Sequence, residues 1–246
     1  MLEKFFAENP SVALGFSGGV DSSYLFYEGL RCGANIKAYY VKSAFQPEFE
    51  LRDAYRLAQS LGAEITVLEA DVLNSEQVTL NPSNRCYFCK REIFGSIKRQ
   101  AAEDGFSVLI DGSNASDDEG ERPGMKAINE LSVRSPLREC AITKEEVRRL
   151  SKEAGLFTWN KPAYACLATR IPTGRKITKE LLTSIEGAED ALFALGFSDF
   201  RVRVFGEAAR LQFTQENIRN AVKHRKQVIE AVKPYFPAVL LDLEGR

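Results

Sequence analysis

The chain contains one histidine, His224. A histidine general base, and metal sites built from several imidazoles, are therefore nearly excluded. No apolar run approaches the roughly 20 residues that a bilayer helix needs, which excludes a transmembrane helix. The opening Met1-Leu2-Glu3-Lys4-Phe5-Phe6 lacks the long apolar stretch of a signal peptide, so a cytoplasmic location is the expectation. Neither sign of charge is in excess: 33 Lys and Arg against 34 Asp and Glu leave a formal net charge of −1. That balance provides no global attraction to nucleic acid, although it leaves room for a local basic patch. At 246 residues, 44% hydrophobic and 27% charged, the composition is that of a globular protein and excludes disordered, collagen-like and coiled-coil chains. The length is ample for a buried core without disulfide staples.

There are five cysteines, an odd number, in a chain that reads as cytosolic. Metal binding or thiol chemistry is the expectation there, rather than structural disulfides.

Strands and helices alternate along the first part. Ser11 to Phe16 is a short apolar run between Pro10 and Ser17-Gly18-Gly19, the pattern of a buried parallel strand ending in a turn. A helix follows from Asp21 to about Arg31, then a strand over Ile36 to Val41. Leu51, Ala54, Leu57, Ala58 and Leu61 recur at helical spacing, and Gly62 suits the position past the helix end. Further strands are expected at Glu64 to Leu68 and Ser107 to Ile110, with a helix from Lys90 to about Asp104 between them. Val72 to Arg85 reads as a loop. Thr143-Lys144-Glu145-Glu146 is a capping-box sequence opening a helix that stops near Gly155. The alternation predicts an α/β fold with a doubly wound parallel sheet over residues 1–172. Residues 173–246 read as a small second α/β domain: a helix from about Thr178 to Leu195, strands at Phe200 to Phe205 and Ala209 to Phe213, a helix from about Glu216 to Val232, and a strand at Val239 to Leu243. Gly206-Glu207 is the expected hairpin turn.

The strongest chemical signal is Ser17-Gly18-Gly19-Val20-Asp21-Ser22-Ser23, directly after the first strand and opening the first helix. Gly18 and Gly19 let the backbone approach a phosphate and present its N–H groups. The helix N-terminus adds partial positive charge, and Ser17, Ser22 and Ser23 add hydroxyls. Asp21 would repel a bare phosphate, so its presence makes sense if Mg²⁺ sits between the carboxylate and the phosphates of ATP. The loop lacks the Gly-Lys-Ser/Thr ending of a Walker A motif. An ordinary capped helix after a tight turn is the plain alternative. The segment resembles the PP-loop of ATP pyrophosphatases, a resemblance that implies cleavage of ATP between its α- and β-phosphates.

Cys86-Tyr87-Phe88-Cys89 stands at a loop-to-helix junction, flanked by Arg85 and Lys90, and Cys166 lies in an irregular stretch further on. The Cys-x-x-Cys spacing lets two thiolates reach one metal or cluster, and it also suits a redox pair. Three thiolates without a clear fourth ligand suggest a [4Fe–4S] cluster with one open iron. A structural zinc would need a fourth ligand from Cys32, Cys140 or His224, none of which sits in an obvious ligand motif. Cys32 and Cys140 read as structural, His224 as a surface residue and Trp159 as packing.

Other segments extend the pattern: Asp111-Gly112-Ser113-Asn114 followed by Asp117-Asp118, Glu121-Arg122-Pro123-Gly124, Arg134-Ser135-Pro136-Leu137, Lys144-Glu145-Glu146-Val147, Trp159-Asn160-Lys161-Pro162 and Cys166-Leu167-Ala168-Thr169-Arg170-Ile171-Pro172. Together with the loop they resemble the LarE family of PP-loop sulfur transferases over nearly the whole chain. The resemblance implies adenylation of a carboxylate of pyridinium-3,5-biscarboxylic acid mononucleotide and replacement of its oxygen by sulfur, once for each carboxylate. Some members of the family sacrifice a single Cys. Others hold a [4Fe–4S] cluster on three, and Cys86, Cys89 and Cys166 match that pattern. Sulfide or a sulfur-delivery protein would then be the source of sulfur. The family also implies a homo-oligomer, with a hexamer as one arrangement.

In this reading Ser17, Gly18, Gly19, Asp21, Ser22 and Ser23 hold ATP and Mg²⁺, and Asp111 and Asn114 face the same crevice at a strand end. Arg122 and Arg170 are expected to contact pyrophosphate or a substrate carboxylate. Arg201 and Arg203 leave the same face of a strand and suit the substrate phosphate. Family pattern gives Glu189 a substrate-side role near them, against the commoner fate of a solvated helical carboxylate. The rival readings are a tRNA thiolase, which shares the loop and the cysteines, an amide-forming ligase related to NAD synthetase, and a non-catalytic nucleotide or metal sensor. Near-zero net charge and the lack of a recognisable RNA-binding extension weigh against the first.

Overall fold

A computed structural model describes residues 1–117 and 123–246. In chain order, its first half runs α1 (Leu2–Glu8), β1 (Ser11–Gly15), α2 (Val20–Arg31), β2 (Asn35–Lys42), α3 (Glu48–Ser60), β3 (Ile65–Glu69), α4 (Glu76–Thr79), α5 (Arg85–Glu103) and β4 (Leu109–Ile110). It continues with α6 (Pro123–Glu130), α7 (Pro136–Glu139), α8 (Lys144–Glu153), α9 (Lys179–Ala194), β5 (Arg201–Phe205), β6 (Ala208–Gln212), α10 (Gln215–Lys223), α11 (Arg225–Val232) and β7 (Ala238–Leu241). Short 3-10 turns occupy Val72–Asn74, Phe157–Asn160 and Leu167–Arg170. Contacts divide the chain into two units: residues 1–72 with 84–164, and residues 73–83 with 165–246.

The first unit is built on a parallel sheet of order β3-β2-β1-β4. Side chains alternate across a strand, and β1 and β2 feed two separate cores. Val12 and Leu14, with Ala38 and Tyr40, pack against α2, α3 and α8 through Leu25, Phe26, Leu57 and Val147. Ala13, with Tyr39 and Val41, packs on the other face against Ile97, Ala101, Met125 and Ile128 of α5 and α6. Burial on both faces explains why these strands read as continuous apolar runs. Thr143 and Glu146 close the expected capping box at the start of α8, each side chain accepting from the other's backbone N–H.

The second unit carries a three-stranded sheet of order β5-β6-β7, with β5–β6 antiparallel and β6–β7 parallel. A parallel pair needs a long crossover, which α10 and α11 supply. Val202, Val204, Ala209 and Leu211 are buried, together with Leu182, Ile185 and Leu192 of α9 and Val228 and Val232 of α11. Asn81 explains why residues 73–83 belong here. Fully buried, it donates through Nδ2 to the carbonyls of Ile171 (3.3 Å) and Pro172 (2.8 Å), and its own carbonyl accepts from Gly174.

Several expectations need correction. The stretch from Val72 to Arg85 holds a 3-10 turn and α4 rather than a plain loop. Helix α5 begins at Arg85, five residues before Lys90, so both thiols of Cys-x-x-Cys lie in its first two turns. The single helix expected over residues 216–232 is two, α10 and α11, broken at His224, whose ring Nδ1 lies 3.0 Å from the Asn220 carbonyl. By contacts the second unit takes in residues 73–83 and 165–246.

Candidate functional site

The strand order reverses direction between β1 and β4, since β2 and β3 extend to one side of β1 and β4 to the other. Ligands of open parallel sheets bind outside the strand carboxyl ends at such a point. The loop after β1 and the turn after β4 both lie there. Gly18 has φ of +71°, a left-handed conformation open to glycine at little cost. Ser17 and Ser22 join through their hydroxyls (3.1 Å), and Ser22 Oγ bonds to the Gly19 carbonyl (3.2 Å). Ser23 Oγ is buried in the first turn of α2 with no partner among the described residues. A Cβ on Gly112 would stand 2.8 Å from the Ser22 nitrogen, so the turn after β4 meets the start of α2 only because residue 112 is glycine.

That close approach carries Asn114 to Asp21. Asn114 Nδ2 donates to Asp21 Oδ1 at 3.1 Å, while Lys144 Nζ forms an ion pair with Asp21 Oδ2. Lys144 reaches this point because α8 starts against the 114–117 turn, where its backbone N–H donates to Ser116 Oγ (3.0 Å). Asp111 sits deeper than the crevice reading placed it. It is buried and accepts from Ser113 N, Ser113 Oγ and Ser135 Oγ, so it braces the turn that presents Asn114. Lys144 joins the candidate site through Asp21, although the motif reading left it without a role. The signal available was its place at the first helical position after Thr143.

The thiol residues divide between the units. Cys86 is exposed and Cys89 partly buried, three residues apart on the same side of α5. An Arg85 guanidinium nitrogen lies 3.8 Å from Cys86 Sγ. Cys166 opens the 3-10 turn Leu167–Arg170 in the second unit, partly exposed. Among the described residues, none of the five cysteines is joined in a disulfide. Among the described residues, no three His, Cys, Asp or Glu side chains are drawn together as a metal site. Cys140 is buried and Cys32 packs against the first core, and burial pushes both thiols up. Trp159 is half-buried beneath Lys152 Nζ, 4.7 Å from its ring.

Around Cys166 two of the candidate residues are buried side chains. Arg170 and Glu189 are each 1% exposed and bound to one another, so neither is a solvated side chain. Arg170 also donates to the Ala165 carbonyl (2.9 Å) and to Thr169 Oγ1 (2.9 Å). Glu189 Oε1 accepts from the backbone N–H of Val202 (2.9 Å). The pair therefore ties the Cys166 turn to α9 and β5, the work of an internal strut. Arg203 adds a second tie, from Nη1 to the Thr169 carbonyl (2.7 Å). Arg201 emerges from the same face of β5, half-buried. Burial, then the neighbouring Arg246, Arg170 and Arg203, push its guanidinium down to about 10. Positive charge is thus concentrated around Arg201. Arg122 lies outside the described residues.

No protein-family model matches the chain. It is 38% identical over 251 residues to an uncharacterized protein of Synechocystis sp., covering 99% of this chain and 92% of that one. It is 31% identical over 237 residues to the pyridinium-3,5-bisthiocarboxylic acid mononucleotide synthase of Lactiplantibacillus plantarum, covering 95% and 86%. Similarity to the tRNA-specific 2-thiouridylase MnmA of Thermotoga petrophila is 28% over 194 residues and covers 61% of this chain and 54% of the relative. The first unit, with its parallel sheet and nucleotide loop, and the near full-length match to the Lactiplantibacillus synthase lead to one assignment: the chain belongs to the LarE family of PP-loop sulfur transferases.

Proposed function

We propose that this protein is an ATP-dependent sulfur transferase acting on pyridinium-3,5-biscarboxylic acid mononucleotide. It joins a substrate carboxylate to the α-phosphate of ATP, releasing pyrophosphate, and then exchanges the AMP of the acyl-adenylate for sulfur. The observation that carries this reading is Asp21, held between Lys144 and Asn114 beside the Gly18-Gly19 loop. The name of the Lactiplantibacillus relative supplies the substrate class.

The donors suit Mg²⁺·ATP. A hard divalent cation takes carboxylate oxygen and shares phosphate oxygens. Asp21 stands at the mouth of the loop, where displacement of Lys144 would open its Oδ2 to Mg²⁺, and Mg²⁺ bound there would neutralise phosphate charge. Lys144, released from Asp21, then supplies a second cation for the leaving pyrophosphate. The loop backbone and the α2 N-terminus receive the phosphates. Asn114 keeps the Asp21 carboxylate oriented.

The sulfur step needs a soft nucleophile at the acyl carbon. Cys86, Cys89 and Cys166 have the chemistry of [4Fe–4S] ligands, since all are cysteines outside any disulfide and the first two are one helical turn apart. Bound to those three residues, such a cluster would supply an exchangeable sulfide. Around it, this chain's own groups have separate tasks. Arg170 and Glu189 hold the turn that bears Cys166, and Arg201 offers charge to the substrate phosphate.

The test is AMP and pyrophosphate release with ATP, Mg²⁺ and the pyridinium dicarboxylate. Release that depends on the dicarboxylate supports the reading. Release that depends on tRNA instead would favour the thiouridylase chemistry named for the partial relatives.

A further inference from the structure

Lys161 is a second lysine at the nucleotide loop, with its side chain 13% exposed. Its ammonium has two oxygen partners. Asp53 Oδ2 is 2.7 Å away, and the Gly18 carbonyl is 3.3 Å away. The Phe49 ring centroid lies 5.8 Å from the same Nζ. Phe49 and Asp53 are four residues apart on α3 and so share a face. The same helix abuts Gly18 through the Glu50 carbonyl and Ala54. Lys161 is thus seated between α3 and the loop, with its charge balanced by Asp53.

The backbone of Lys161 is also held. Its N–H donates to the Thr158 carbonyl (3.0 Å), and its carbonyl accepts from Arg148 Nη2 (3.0 Å). Arg148 Nη1 bonds to the Trp159 carbonyl (2.7 Å). One arginine of α8 therefore sets the height of the segment that delivers Lys161. A flexible surface lysine would have none of these constraints.

The stereochemical consequence falls on the Gly18–Gly19 peptide. A trans peptide is planar, and its C=O and N–H point in opposite directions. With the Gly18 oxygen turned to Lys161, the Gly19 N–H must face the other way. It does so, toward Ser17 Oγ at 3.4 Å, among the hydroxyls of the loop. Glycine on both sides of this peptide makes its rotation easy, so an external hold has an effect that a bulkier sequence would not need.

We infer that Lys161 is a positioning residue for the nucleotide: by holding the Gly18 carbonyl it aims the Gly19 N–H at the anion. This deepens the ATP reading and rests on it. Asp53 belongs to the device, since it keeps the ammonium on the carbonyl side. The opposite role, a lysine restrained by Asp53 until it swings onto phosphate, makes Asp53 an inhibitor of ATP binding. The two roles therefore differ in sign at Asp53.

The experiment measures the Kd of the full-length protein for ATP with Mg²⁺ by titration calorimetry, with the melting temperature of each variant beside it. Lys161→Met is expected to weaken ATP by about tenfold, the scale of one oriented, charge-assisted hydrogen bond. Asp53→Asn is expected to weaken it too, and the double variant to be no weaker than Lys161→Met alone. Lys161→Arg is expected to recover part of the loss. If Lys161→Met does not fold, Asp53→Asn carries the test, because Asp53 is partly exposed and its change removes only the charge. An unchanged Kd in Lys161→Met, or tighter binding in Asp53→Asn, overturns the inference. Absence of ATP binding to the unaltered protein overturns the nucleotide reading itself, a different result from either.

Discussion

Arg170 and Glu189 bind one another through two hydrogen bonds, of 2.8 and 3.2 Å, at the centre of the second unit. Two charges this deeply buried are costly to separate, because the partner left behind remains desolvated. Glu189→Ala and Arg170→Ala should each lower stability by about 3–5 kcal/mol in urea unfolding. The paired change Arg170→Met with Glu189→Leu should cost less than either single change, since it leaves no lone charge. A milder variant separates structure from function. Glu189→Gln should retain pyrophosphate release and lose sulfur transfer, because the pair holds the Cys166 turn and not the nucleotide loop.

Asp21→Ala should reduce pyrophosphate release by at least about a hundredfold, the scale on which one electrostatic contact to reacting phosphate acts. Iron content and melting temperature should not change, since among the described residues Asp21 is bound by Lys144 and Asn114 at the loop. Intact adenylation in this variant would remove Asp21 from the mechanism.

Cys86→Ala, Cys89→Ala and Cys166→Ala should each lose bound iron and sulfur transfer and keep adenylation. Iron and acid-labile sulfide after anaerobic reconstitution are the readout. Transfer retained in Cys86→Ala but lost in Cys166→Ala would instead assign the sulfur to a single sacrificed cysteine.

Arg201 sets a pH dependence. Its folded pKa is lowered to about 10 by burial and by neighbouring arginines. A basic group with a lowered folded pKa costs stability while it is charged, and the cost fades only as pH rises from about 10 toward the ordinary arginine value. Bound anion offsets the same cost at neutral pH. Inorganic phosphate should therefore raise the melting temperature at neutral pH, less so toward pH of about 10 and above. Arg201→Gln should abolish the phosphate-dependent rise.

The sheet of the first unit was legible because both faces of β1 and β2 are buried, which writes the strands as apolar runs. The loop was legible because its glycines and Asp21 lie consecutively. What connects them was not. Lys144 reaches Asp21 from 123 residues away, through a glycine contact between two turns that only the fold brings together. The mutual burial of Arg170 and Glu189 is a tertiary fact with no local pattern, since charged residues ordinarily stay near solvent. The break at His224 was hidden because apolar residues run through both α10 and α11. The start of α5 was set too late because Cys86 and Cys89 read as loop ligands, although helical spacing allows both.

The most direct test of sulfur transfer is mass spectrometry of the nucleotide product. The protein, with its iron and sulfide reconstituted anaerobically, is incubated with ATP, Mg²⁺, sulfide and pyridinium-3,5-biscarboxylic acid mononucleotide. The account predicts AMP together with a substrate in which carboxylate oxygen has been exchanged for sulfur, first once and then twice, and no product without ATP. AMP and pyrophosphate formed with no sulfur-containing product under these conditions would contradict it.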